Sequence, residues 1–211
     1  MKQVEFLKHI VSKLTDKDNE SIKMSLNNVH SDGLFSLVVD GSEFGKLLRI
    51  FIATKKLKPY AVQLHTHRYP INLMAIKGNI KQYTAKYIDD EDIQSCDIAV
   101  LPQYNYKSFL NGGKGLTYDT EAYVVMNEFF IPKGSSIYMH TYQFHTISCT
   151  KGSIWIVEEK GFQSDYSKVL GVPFTSDGLY TKPSMFQIND KIQIVLKELR
   201  QMIKAFESVT N

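Results

Sequence analysis

Histidine is the residue type with the clearest chemical potential in this sequence, which contains six of them among 211 residues. Neutral imidazole is a common ligand of divalent metal ions. If His65 and His67 lie on one strand, their side chains point to the same face about 7 Å apart along it, a workable span for two ligands of one ion. A third imidazole must come from a neighbouring strand, and His145 can face inward together with Ile147 and Cys149. The pattern therefore predicts a metal site on His65, His67 and His145.

A plainer interpretation of each histidine stays open. A single histidine on an apolar strand face is more often a hydrogen-bonded core residue than a ligand, and this alternative applies to the predicted three. His140 is placed at a loop or strand end, where it supports or lines the site. His9 and His30 fall outside the two histidine segments and are predicted to lie at the surface.

The elements that must position these histidines are mostly strands. Alternating or continuous apolar runs bounded by Gly, Pro and Asp predict a series of short strands with close, regular spacing, which indicates a sandwich or barrel. Amphipathic helices are predicted at both ends, over 3–14 and from Asn189-Asp190 onward, because apolar residues recur there at helical spacing. The predicted strands cover 34–41, 47–54, 60–67, 71–86 as two strands joined near Gly78-Asn79, 122–132, 134–140, 143–149 and 153–159.

These elements divide the chain into three predicted parts. Residues 1–32 form an N-terminal helical extension, 33–165 a barrel, and 166–211 a C-terminal extension that ends in the amphipathic helix. The stretch 87–120 is acidic at first and then rich in turn formers. We interpret it as a long insertion or surface loop with some strand content, placed as a lid over the barrel mouth.

Composition narrows the function classes. The net charge of +3, with no concentrated Lys/Arg patch, argues against nucleic acid as a partner. The two cysteines, Cys96 and Cys149, make no disulfide framework, which favours a cytoplasmic setting. No apolar run is long enough to cross a bilayer, so no membrane partner is expected.

Two segments resemble the metal motifs of the cupin superfamily. The segment LHTHRYPINLMAIKG (64–78) is similar to the first motif, in which His-x-His is followed by a Glu and then a Gly. The segment GSSIYMHTYQFHTISC (134–149) is similar to the second, which brings a third histidine. The spacings from His67 to Gly78 and from Gly134 to His145 match the family pattern. The resemblance implies an all-β, cupin-type double-stranded β-helix (jelly-roll barrel) with flanking helices at both ends.

The family's fourth ligand is missing from the pattern. Its Glu position falls on Ile71 or Asn72, and Asn72 offers only a weak carbonyl ligand. Three neutral imidazoles leave a divalent ion with its full double charge, which favours anionic ligands in a barrel of low dielectric constant. Fe(II) is the expected ion, with Zn, Ni or Mn as alternatives, since imidazole suits several metals.

Six further residues are predicted to line the pocket beside the metal. Gln63 shares the face of the His-x-His pair, two tyrosines offer hydroxyl donors, and a small buried thiol lies below His145; core packing and aromatic lining are the alternatives. Glu158 and Glu159 alternate on a strand and are interpreted as a solvated strand end. The predicted lining residues are Gln63, Tyr69, Asn72, His140, Tyr142 and Cys149.

Three functions are compatible with such a site. The first is a metal-dependent enzyme that resembles the dioxygenases of the family and acts on a small anionic substrate. The second is a non-catalytic cupin that binds a small ligand, which the missing Glu favours. The third is a sugar isomerase or epimerase, for which no phosphate clamp is evident. The terminal helices indicate contacts between subunits, and since homodimers are common in the family, a homodimer is expected.

Overall fold

Two helices frame the chain in the computed structural model, which describes residues 2–41, 47–59, 61–88, 98–107, 112–171 and 180–210. Helix α1 spans Lys2–Thr15 and buries Leu7, Ile10 and Leu14. Helix α2 spans Met185–Thr210, so the predicted start at Asn189-Asp190 was too late. The helix begins earlier because Ser184 and Gln187 cap it reciprocally: Ser184 N–H donates to Gln187 Oε1 (2.9 Å) and Gln187 N–H donates to Ser184 Oγ (3.3 Å).

Eleven strands form the body of the described chain and confirm the predicted all-β body with a helix at each end. A short 3-10 helix, Glu20–Met24, precedes them. The strands are β1 Leu34–Gly41, β2 Leu47–Ala53, β3 Leu64–His65, β4 Ile71–Lys77, β5 Ile80–Tyr87, β6 Ile98–Lys107, β7 Gly115–Ile131, β8 Ser136–Met139, β9 Phe144–Cys149, β10 Ile154–Glu159 and β11 Ser167–Leu170.

The strands form two antiparallel arrangements. One is a five-stranded sheet in the order β1-β2-β10-β4-β8, and the other is a closed barrel in the order β11-β3-β9-β5-β7-β6. Successive side chains on a strand point to opposite faces. The strands of the five-stranded sheet therefore show one face to the helices and the other to the barrel strands.

Three apolar clusters fill the spaces this architecture creates. The first joins the helices to the outer face of the five-stranded sheet, with Ile50 and Ile156 beside Leu199. The second lies between the two arrangements and joins residues such as Trp155 to Cys149. The third consists only of barrel-strand residues and fills the closed barrel: Leu64, Ala85, Ala122, Val124, Phe144 and Leu170. The second space is the one that holds the histidines.

The predicted loop insertion over 87–120 was wrong for the part the structure describes. Strands β6 and β7 pair along their length and complete the closed barrel, and residues 89–97 and 108–111 lie outside the described residues. Polar and turn-forming residues obscured the pattern because most side chains of β6 and β7 are only partly buried. The predicted end of the barrel at residue 165 was also too early, because β11 pairs with both β3 and β6.

A glycine fixes the turn between β4 and β5, as the spacing predicted. Gly78 has φ +85°, and a Cβ placed on it would lie 2.8 Å from the Cα of Ser153. Only glycine combines that backbone conformation with so close an approach. Among the helices of the described residues, none has the length and apolar character needed to cross a membrane.

Candidate metal centre

The fold brings His65, His67 and His145 together between the two arrangements of strands. His65 on β3 is paired directly with His145 on β9, and His67 follows two residues after His65. The ring centroids are 4.9 Å apart for His65 and His67, 5.0 Å for His65 and His145, and 4.8 Å for His67 and His145. One ring nitrogen from each lies within 4.8 Å of the others. The three residues chosen from spacing therefore share one point in space.

Hydrogen bonds orient two of the rings toward that point. His65 Nδ1 lies 2.8 Å from the backbone oxygen of Gln63. Since a carbonyl only accepts, Nδ1 carries the proton and Nε2 keeps a free lone pair. The Nε2 atoms of His67 and His145 lie 2.6 Å apart. At this distance, either one neutral imidazole donates its Nε2 proton to the lone pair of the other, or a cation lies between two lone pairs.

A divalent ion fits this arrangement of donors. Imidazole nitrogens bind Zn²⁺ and similar ions at about 2.0–2.1 Å, so two ligands at right angles stand about 3 Å apart. The Nε2 atoms of His67 and His145, 2.6 Å apart, are already near that spacing. The ligand atoms of all three histidines lie within 4.8 Å of one another, so a small rotation of the rings brings them to ligating distance of one ion. His65 and His67 are partly exposed and His145 is buried. Water or a small ligand therefore has access to the remaining coordination positions.

Burial keeps the three imidazoles neutral. Burial is the main cause that lowers the pKa of His65, His67 and His145, and mutual repulsion between the rings lowers the pKa of His67 and His145 further. A neutral ring is the form that binds a metal. The folded chain therefore holds three neutral imidazoles at neutral pH, and metal binding does not require them to release protons.

The same shifts predict an acid-sensitive metal-free protein. In the unfolded chain these histidines take up protons as the pH falls below about 6.5, whereas in the folded chain their lowered pKa delays protonation. The free energy of unfolding therefore decreases as the pH decreases, by at most about 1.4 kcal/mol per pH unit for each such histidine. Urea unfolding with EDTA at pH 7.5, 6.0 and 5.0 measures the slope. The slope is expected to be smaller in His145→Gln, and an equal slope in both proteins would contradict the assignment.

Gln82 on β5 is a site residue that the sequence did not reveal. It is fully buried, and its amide nitrogen lies 3.0 Å from His145 Nδ1, while its Oε1 has no hydrogen-bond partner. A half-turn of the amide brings Oε1 to Nδ1. His145 then donates its Nδ1 proton and offers Nε2 to the ion. The sequence carries no local signal for this contact, because it depends on the pairing of β5 with β9.

Loss of this hydrogen bond is expected to weaken metal binding. Gln82→Leu should reduce the affinity for Zn²⁺ or Co²⁺ by about 10–100-fold, the usual effect of removing the partner of a ligating histidine. Competition with a chromophoric chelator measures it. Gln63→Leu is the matched control: its contact with His65 is made by the backbone, so its affinity should stay within about threefold. Equal losses in both variants would contradict the role of Gln82.

The predicted lining residues divide into those near the histidines and those away from them. Tyr69 stacks on His67 with 5.9 Å between ring centroids. Gln63 reaches the site through its backbone. Cys149 is buried in the cluster between the strand layers, and burial raises the pKa of its thiol. Such a thiol is an inert packing group rather than a nucleophile.

Three predicted lining residues lie elsewhere. Asn72 was placed wrongly because β4 turns it, with Met74, to the side of α1, where both line a shallow groove with Phe6. His140 and Tyr142 are exposed and stack on each other at 5.6 Å in the turn between β8 and β9. They make no described contact with the three histidines.

His30 is exposed, as predicted, and it also lies beside the site. Its ring is 5.9 Å from that of His65 and 6.5 Å from that of Phe51. The backbone of His30 has φ +64°, and Asn28 nearby has φ +57°. This unusual conformation of a loop could not be read from spacing.

The predicted solvated strand end was wrong for Glu159. Its side chain is 4% exposed and pairs with Arg49 on β2, with 2.5 Å between Arg49 Nη2 and Glu159 Oε1. It also accepts a hydrogen bond from Tyr69. Glu158 behaves as predicted, at the partly exposed end of the strand, where it pairs with Lys160.

Comparisons with known proteins complete the description of the site. No protein-family model matches the chain, and no curated protein matches it. Among solved structures, it is similar to a hydroxypropylphosphonic acid epoxidase from S. wedmorenis, at 12% identity, TM-score 0.37, over 64% of this chain and 54% of that one. It is also similar to Streptomyces albus HEPD, a structure with 2-hydroxyethylphosphonate and Fe(II) bound, at 9% identity, TM-score 0.42, over 66% of this chain and 24% of that one.

A third solved structure is hydroquinone 1,2-dioxygenase PnpCD with Cd²⁺ and 4-hydroxybenzonitrile. The identity is 11% and the TM-score 0.32, over 59% of this chain and 63% of that one. The chain therefore spans about half the length of the first protein and about a quarter of the second. At these levels of similarity, the assignment of function rests on the residues of this chain.

Proposed function

We propose that this chain is a metal-dependent enzyme of cupin type, a dioxygenase that acts on a small anionic substrate with Fe(II) held by His65, His67 and His145. The observation that carries the proposal is the convergence of three neutral imidazoles whose donor atoms lie within 4.8 Å of one another at a water-accessible position. Zn, Ni and Mn remain alternative ions, because imidazole ligands do not select strongly among them.

The charge of the ligand set supports an anionic substrate. Three neutral imidazoles leave the double positive charge of the ion uncompensated, and no carboxylate among the described residues belongs to the converging group. A carboxylate or similar oxyanion restores neutrality at the site. When bound, Fe(II) supplies the redox chemistry that the side chains of this chain lack.

The residues of the chain supply position and shielding. Gln63 and Gln82 orient the ligating rings through their contacts with His65 and His145. Tyr69 packs against His67 with 28° between the ring planes. The apolar cluster below the histidines, which includes Ile147 and Cys149, keeps water out of the floor of the site.

Oxygen consumption is the direct test of this function. Fe(II)-loaded protein is expected to take up oxygen when supplied with one of a panel of small carboxylates, hydroxy acids and phosphonates, at a rate above that of Fe(II) in buffer. His67→Ala prepared in parallel should show only the buffer rate. Binding of a panel member with no oxygen uptake would contradict the enzymatic proposal and favour a non-catalytic ligand-binding cupin.

A further inference from the structure

Arg49 is a cationic residue on β2 that lies beside the proposed site. On β2, Leu48 and Ile50 belong to the cluster under the helices, whereas Phe51 belongs to the cluster between the strand layers. Arg49 shares the face of Phe51, because side chains two positions apart on a strand point the same way. Its guanidinium therefore enters the space that holds the histidines. The Arg49 side chain is 21% exposed, so water also reaches it.

A continuous set of contacts joins Arg49 to the ligating histidines. Arg49 pairs with Glu159, Glu159 accepts a hydrogen bond from Tyr69, and Tyr69 stacks on His67. On the other side, His30 contacts both Phe51 and His65. Burial is the main cause of the lowered pKa of His67, and the positive charges that add to it include Arg49. The cation is therefore close enough for its field to act on the metal site.

The hydrogen-bonding capacity of Arg49 is not used up. A guanidinium has five N–H donors. Within the described residues, its Nε is buried without a hydrogen-bond partner, while its Nη2 pairs with Glu159. A buried ion pair that serves only stability needs its remaining donors satisfied, since an unmade hydrogen bond on a buried charge is costly. An oxyanion that accepts from Nε supplies the missing partner.

We propose that Arg49 is the anion-binding residue of the site and holds a second oxyanion group of the substrate while another donor group of the substrate meets the metal. The substrate is then a small molecule with two acidic ends, of which one is a carboxylate or a phosphonate. Glu159 is the internal competitor: it neutralises Arg49 while the site is empty and shares it when the anion enters. This inference rests on the proposed function for the position of the metal.

The probes for the test are acetate and a series of acids with two ends: malonate, succinate, glutarate and phosphonoacetate. Co²⁺-loaded protein reports each binding event through its visible absorption spectrum. Every probe can place one carboxylate on the metal. Only the acids with two ends have a second acidic group that can reach Arg49. We expect at least one member to bind about tenfold or more tightly than acetate, the gain typical of a charge-assisted, forked hydrogen bond.

Three variants separate the roles of Arg49 and Glu159. Arg49→Gln combined with Glu159→Gln keeps the site neutral and polar, so it should fold and bind Co²⁺ normally, but the advantage of the two-ended acid should fall to about threefold or less. Glu159→Gln alone removes the competitor, and the advantage should increase. Arg49→Lys, which keeps the charge without the forked geometry, should lie between wild type and the double variant.

The outcomes distinguish this inference from the proposed function. Normal Co²⁺ binding with an undiminished advantage in the double variant would overturn the role of Arg49 and leave the metal site standing. If Co²⁺ binds to none of the proteins, the proposed function fails, and calorimetry of phosphonoacetate with metal-free protein then decides the inference. Binding in wild type that is lost in the double variant supports Arg49, and equal or absent binding in both overturns it.

Discussion

His67→Ala is expected to lower the affinity for Zn²⁺ or Co²⁺ by more than about 100-fold, a larger loss than removal of an outer hydrogen-bond partner causes. The Nε2 atom of His67 lies 2.6 Å from that of His145, so this pair makes the closest donor contact of the site. Without His67 the ion keeps two protein ligands, and water must replace the third. Equilibrium dialysis or competition with a chelator measures the loss.

The same variant should not unfold the metal-free protein. In the absence of metal, His67 and His145 share one hydrogen bond, so removal of His67 should lower the free energy of unfolding by no more than about 1 kcal/mol. Wild type should gain about 4 kcal/mol of unfolding free energy at a free metal concentration 1,000 times Kd. This gain should be absent in the variant.

His140→Ala is the matched control for metal binding. His140 is exposed and stacks on Tyr142 in the turn between β8 and β9. It lies close in sequence to His145 but outside the converging group. Its substitution should leave the metal affinity unchanged. A large loss in His140→Ala, or an unchanged affinity in His67→Ala, would contradict the site as described.

Phe144→Ala should produce the largest loss of stability among single changes near the site, about 3–5 kcal/mol. Phe144 is 1% exposed, packs inside the closed barrel with Leu64 and Leu170, and meets Tyr87 edge to face at 5.4 Å. Truncation leaves a cavity in a small cluster that has few other large side chains. Urea unfolding at pH 7.5 measures the change in free energy.

Phe186→Ala provides the control for this truncation. Phe186 lies in the first turn of α2 and is 81% exposed. The same chemical change there should alter the free energy of unfolding by no more than about 0.5 kcal/mol. Equal effects at the two positions would mean that the closed barrel does not form a separate, well-packed core.

The sequence carried enough information to predict the three histidines and most of the strands. The apolar alternation around His145 is a local pattern, and strand geometry converts it directly into side-chain direction. The turn at Gly78 was predictable for the same reason. The predicted strand 60–67 was too long, because β3 ends at His65 and His67 lies beyond it, so only the sequence proximity of the two histidines was a correct guide. The prediction for Asn72 was wrong because the face on which its side chain lies depends on the residue at which β4 begins. A shift of one residue moves the side chain to the opposite face.

The residues that were missed depend on contacts between distant parts of the chain. Arg49 and Glu159 meet only because β2 and β10 are neighbours in the sheet. Gln82 meets His145 through the pairing of β5 with β9. His30 reaches the site from a loop with a left-handed backbone. None of these pairings has a signature in a short window of sequence.

X-ray absorption spectroscopy at the metal edge of the Zn²⁺-loaded protein tests the central claim most directly. The arrangement of His65, His67 and His145 predicts a first coordination sphere with three imidazole nitrogens at about 2.0–2.1 Å, completed by oxygen from water or an added anion. The multiple-scattering pattern of imidazole should fall from three rings to two in His67→Ala. A coordination sphere with sulfur, or with fewer than three imidazoles in the wild-type protein, would contradict it.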